Sequence, residues 1–123
     1  MILLRNFLIA AALFFAPAAF AQTQNLATTD CSGTITAGGT GQTLLSTSST
    51  RLGFFVQNLS TDKLCISFAG TAVCDATGSY SLSPAVAGAT GTAGGSFLSP
   101  TGYRGAVSIV GATNGDKFSC TAW

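Results

Sequence analysis

The chain has no histidine and no glutamate, and only 7% of its 123 residues are charged. The missing imidazole removes Ser-His-Asp and Cys-His nucleophilic machinery together with histidine-ligated metals. Hydrolysis by paired carboxylates would have to set two of Asp30, Asp62, Asp75 and Asp116 across a cleft from each other. All four instead fall in expected turns or near the start of the domain, where aspartate is favoured because it accepts nearby backbone N–H bonds. The small-residue run at 88–95 has neither the lysine nor the following helix of a phosphate loop. The sequence therefore offers no catalytic, cofactor-binding or metal-ligating set, and a non-enzymatic role is expected.

Charge is scarce and also balanced. Beyond residue 21, Arg51, Lys63, Arg104 and Lys117 stand against the four aspartates, so the formal net charge there is 4 − 4 = 0. A neutral domain has no electrostatic pull towards nucleic acid or an anionic membrane surface. It also lacks the like-charge repulsion that keeps copies apart, so a homo-oligomer, or docking on a surface protein or glycan, is physically open.

One long apolar run is present, at the N-terminus. Arg5 precedes an apolar stretch over 7–15, Pro17 breaks it, and Ala19-Phe20-Ala21 puts small residues where a signal peptidase cuts. The run falls short of the ~20 residues that span a bilayer, and no stop-transfer charge cluster follows. Residues 1–21 thus read as a cleavable signal peptide, with no membrane insertion after cleavage and a periplasmic or extracellular destination. Residues 22–33 read as an exposed lead-in, and residues 34–123 as a single domain.

Four cysteines in an exported chain predict two disulfides. Of the three pairings, Cys65–Cys74 as a local clip and Cys31–Cys120 as a tie between the domain's ends are favoured. Closing the long loop is worth about 4–5 kcal/mol by chain entropy, against roughly 2–3 for the short one. The spacing contains no close CxxC pair, which argues against zinc.

Apolar alternation marks the strands. Leu52, Phe54 and Val56 share one face of a strand over 51–58, and Leu64, Ile66 and Phe68 one face of a strand over 64–68. These two read as a hairpin. Cys65 then points to the opposite, less apolar side. Shorter strands are expected at 34–36, 42–47, 79–82 and 96–98, with a long surface loop of small residues over 85–95. A buried strand over 106–110 and a final strand over 117–123 flank Asn114-Gly115, which predicts a second hairpin. About seven short strands, frequent turns and no helix after the leader predict an all-β fold: a small antiparallel β-sandwich or barrel stapled by disulfides.

Three segments carry a resemblance. Arg51-Leu52-Gly53-Phe54-Phe55-Val56-Gln57-Asn58 is similar to an R-x-x-x-x-(V/I)-Q-N strand. Leu64-Cys65-Ile66-Ser67-Phe68, with Gly70 and Ala72, is similar to the strand and Gly-Ala turn that follow it. Residues 105–113, with Gly115, Phe118 and Trp123, resemble the closing segment of the same pattern. The pattern is that of small β-sandwich domains in bacteriophage and prophage virion proteins. The resemblance implies the sandwich fold and a structural role, and no site residues.

Phe54, Phe68 and Phe118 are expected in the core, whereas Phe55, Tyr80, Tyr103 and Trp123 are candidates for exposure. Tyr103, Arg104 and Trp123 are the candidate ligand-binding residues, a planar ring and a guanidinium being suited to a sugar or a partner protein. The expected function is a structural or binding module, self-assembling or attached to a surface partner. The alternatives are a carbohydrate-binding module, or an envelope enzyme inhibitor that uses the 85–95 loop.

Overall fold

The computed structural model describes residues 27–87, 93–99 and 102–123. The expected leader, residues 1–21, lies outside the described residues, as do residues 22–26. The described chain contains nine strands and no helix: β1 Thr29–Asp30, β2 Gly33–Thr34, β3 Gln42–Leu45, β4 Phe54–Asn58, β5 Leu64–Ser67, β6 Ser79–Leu82, β7 Ser96–Ser99, β8 Val107–Gly111 and β9 Lys117–Ala122. They form two antiparallel sheets. One has the order β1-β9-β4-β7, with β2 also on β9; the other has the order β3-β8-β5-β6. Two separate sheets make this a sandwich.

Alternation in the sequence becomes burial in the fold. Phe54, Val56, Phe118, Cys120 and Ala122 face inward from the first sheet, and meet Leu44, Leu64, Ile66, Leu82, Val107 and Ile109 from the second. Each large apolar side chain buried in this way contributes about 1.5–3 kcal/mol. Phe68 is only half-buried but packs against this core. All four residues of β5 are buried. Leu64 and Ile66 face the core, whereas Cys65 turns outward into a second cluster with Ala72, Val110 and Cys74.

Both expected disulfides are present. Cys31–Cys120 spans 89 positions and Cys65–Cys74 spans 9. The first joins the chain between β1 and β2 to the middle of β9, where the Cys31 N–H also donates to the Cys120 carbonyl at 3.0 Å. The second clips β5 to the β5–β6 connection over the outer face of the second sheet. Two disulfides fit an oxidising environment rather than a reducing cytoplasm. Among the described residues no helix is long and apolar enough to cross a membrane.

The two expected hairpins are not hairpins. β4 pairs with β9 and β7, while β5 pairs with β8 and β6, so the 59–63 connection crosses from one sheet to the other. β8 and β9 likewise lie in opposite sheets. Alternation records which face of a strand is buried, and a strand across the sandwich buries its face as well as one alongside. The Asn-Gly signal misled for a further reason. Asn114-Gly115 sits in a five-residue connection docked on another segment: Gly115 N–H donates to the Ile35 carbonyl at 2.8 Å, and Asn114 Oδ1 accepts from Gly38 N–H at 2.5 Å. Among the described residues, the one hairpin of consecutive strands within a sheet is β5–β6. The sheet also begins before residue 34, because the lead-in supplies β1 and the first residue of β2 along the edge of β9.

Candidate functional site

Arg51 and Asn58 are the polar landmarks of the 51–58 segment, and the fold buries both. Arg51 Nε donates to the Tyr103 carbonyl and Nη1 to the Ser46 carbonyl, each at 2.9 Å, and Nη2 donates to the Gly105 carbonyl. Burial pulls the Arg51 guanidinium below its ordinary pKa, an effect that Tyr103 opposes. Asn58 Nδ2 donates to the carbonyls of Asp62, Leu82 and Ser83 at 2.7, 3.1 and 3.0 Å, and its Oδ1 accepts the Ser60 N–H at 2.7 Å. Each side chain gathers backbone groups from several loops, one at either end of β4. A planar fork or an amide does this because it presents several hydrogen-bonding atoms in fixed geometry.

The three candidate ligand residues separate. The Tyr103 hydroxyl donates to the Phe68 carbonyl at 2.8 Å, its ring meets Phe68 edge-on at 4.9 Å, and its carbonyl receives Arg51. Arg104 is exposed, and its carbonyl receives the Ser48 N–H at 2.9 Å. Trp123 lies elsewhere, half-buried against Gly53. Trp123 N–H donates to the Gly53 carbonyl at 3.0 Å, and the Trp123 carbonyl accepts N–H bonds from Leu52 and Gly53 at 2.6 and 3.0 Å. A methyl group on Gly53 would come within 2.7 Å of both the Trp123 ring and the Ser99 carbonyl, so glycine there lets the indole pack directly against the backbone.

Trp123 lines an open groove of about 540 Å³ at the end of the sandwich where β1 starts, β3 ends and β9 ends. Its apolar lining comes from Leu45, Leu52, Ala122 and Trp123, and its polar lining from Thr29, Ser46, Thr47, Ser48 and Thr50, with Arg51 beneath. Tyr103 and Arg104 do not line it. The Ser48 hydroxyl shapes this wall by accepting the N–H groups of Thr50 and Arg51 at 3.3 and 3.2 Å. Nearby on the first sheet's edge, the Ser32 hydroxyl and backbone N–H hold Asp30 below the usual carboxylate range. Nothing in the sequence gathers Leu45, Ser46–Ser48 and Leu52 to one place. The polar turn at 48–50 was the available signal, and it reads as an ordinary turn.

A second surface lies along one flank. The Tyr80 and Phe97 rings are 5.3 Å apart, which puts the outer edges of β6 and β7 side by side, with Phe68 in contact with both. Among the described residues neither strand has a second partner. Tyr80 and Leu98 are 51% and 54% exposed there, and neither strand carries a charge.

The described ends of the 85–95 loop are tied down: Ala85 N–H donates to the Ser60 carbonyl and Gly94 N–H to the Asn58 carbonyl, at 2.7 and 2.9 Å. Among the described residues no three acidic or cysteine side chains gather as a metal site would require. Comparison with known family models, curated proteins and solved structures finds no match for this chain.

Proposed function

We propose that this chain is a non-enzymatic structural module, exported to the periplasm or the cell exterior, that assembles with copies of itself through the β6–β7 flank. The observation that carries this reading is the state of those edges. Soluble sandwiches ordinarily protect an edge strand with lysine, proline, a bulge or a covering segment. Here Ser79–Leu82 and Ser96–Ser99 are uncharged, unpaired on their outer sides among the described residues, and topped by exposed Tyr80 and Leu98. A twofold axis through the flank would bring the same edges of two copies together, and neutrality beyond residue 21 removes the charge penalty. The apolar leader and the two disulfides support the exported setting, and the resemblance of its strand motifs to those of virion-type sandwiches favours an assembly role.

The test is sedimentation equilibrium and light scattering on the oxidised domain from residue 22. A dimer or larger assembly is expected, reduced to monomer by Tyr80→Ser with Leu98→Asp. A wild-type monomer at the highest soluble concentration refutes the reading, as does an assembly indifferent to both substitutions.

A further inference from the structure

We infer that the groove at the Trp123 end of the sandwich is a binding site for a neutral oligosaccharide. Its volume of about 540 Å³ lies within the range of small-molecule sites, roughly 300–1,000 Å³. The chemistry of its walls narrows the ligand. The lining has two characters: apolar side chains, the Trp123 indole with Leu45 and Leu52 among them, and hydroxyl residues including Ser46 and Thr47. A sugar ring has the same dual character: its C–H face packs on an aromatic or aliphatic surface while its hydroxyl edge exchanges hydrogen bonds. A purely apolar ligand would leave the hydroxyl residues unused.

The side chains of the lining favour no ionic ligand. The one ionised side chain in the lining is Arg51, which is only 6% exposed and already donates to three carbonyls. Among the lining side chains, an anionic ligand would find no exposed cation to pair with, and a cationic one no carboxylate. The groove is also built before any ligand arrives. The Trp123 main chain is fixed by three backbone hydrogen bonds with Leu52 and Gly53, its indole packs against Gly53, and Ser48 fixes the turn that carries the hydroxyl residues, so little ordering entropy is lost on binding. This site is separate from the β6–β7 flank, and either can fail without the other.

Trp123 is the chain's single tryptophan, so its fluorescence reports on this groove alone. The oxidised chain is titrated to millimolar concentration with maltohexaose, cellohexaose, laminarihexaose, xylohexaose and chitohexaose, and with hexagalacturonate and a Gly-Ser peptide as comparators. At least one neutral sugar is expected to give a saturable change in Trp123 emission that persists in high salt. Leu52→Asp, at the exposed rim, is expected to weaken that binding about tenfold or more, and Tyr80→Ser on β6, which does not line the groove, to leave it unchanged. Circular dichroism of both variants checks that they fold; should Leu52→Asp fail to fold, Thr47→Ala takes its place. No change with any neutral sugar overturns the inference. So does a response confined to hexagalacturonate or the peptide, or one that the rim variant does not weaken.

Discussion

Replacing Arg51 separates a structural staple from a binding group, and the structure sets the size of the effect. Arg51→Ala leaves the carbonyls of Ser46, Tyr103 and Gly105 without their donor. An unsatisfied buried polar group costs about 1–3 kcal/mol. All three hydrogen bonds are only part-buried, so the low end applies, about 1 kcal/mol each. Lost packing of the aliphatic stem adds to that sum, while relief of the guanidinium's own desolvation subtracts from it. The expected loss is about 2–4 kcal/mol, a large share of the 5–15 kcal/mol typical of a domain. Arg51→Lys keeps the charge but cannot fork to three acceptors, and is expected to lose roughly half as much. Urea unfolding of the oxidised domain reads this as a lower midpoint at unchanged m-value. In a thermal scan each kcal/mol corresponds to about 4–8 °C for a domain of this size. A loss below about 1 kcal/mol for Arg51→Ala, or a lysine variant equal to wild type, would refute the staple.

Two further outcomes follow from the same geometry. By loop-closure entropy, the 89-position Cys31–Cys120 bond is worth about 4.6 kcal/mol and the 9-position Cys65–Cys74 bond about 2.6. Both bonds have one fully buried cysteine, so paired alanine variants are expected to differ by about 2 kcal/mol in urea unfolding, with the Cys31/Cys120 pair the less stable; equal losses would contradict the entropic account. Gly53→Ala is expected to cost about 1–3 kcal/mol by overpacking and to shift Trp123 emission, because the new methyl group meets both the indole and the Ser99 carbonyl. An unchanged spectrum at full stability would mean that the indole does not lie on Gly53.

Much of the architecture is legible in the sequence. Strand positions along the chain, the inward set of Phe54, Val56, Leu64, Ile66 and Phe118, and the outward turn of Cys65 all follow from a period of two. The favoured cysteine pairing, a local clip and a tie between the domain's ends, is the one the structure shows, but four cysteines allow three pairings and only the fold selects among them. Arg51 and Asn58 stood out in the strand pattern, but their role did not. A sequence shows no carbonyls, and the acceptors of Arg51 come from residues 46, 103 and 105, those of Asn58 from residues 62, 82 and 83.

The sequence by itself determined that the described domain is all-β and which faces of its strands are buried, because each depends on local alternation; it favoured one of three cysteine pairings, and the tertiary structure fixed it. Tertiary structure alone decided that β4 and β5, and β8 and β9, cross between sheets rather than fold back as hairpins. It also decided that Trp123 parts company with Tyr103 and Arg104. The physical reason is common to both: inter-sheet packing and the meeting of loops at one end of a sandwich join residues far apart in the chain, and no spacing along the chain encodes which ones meet.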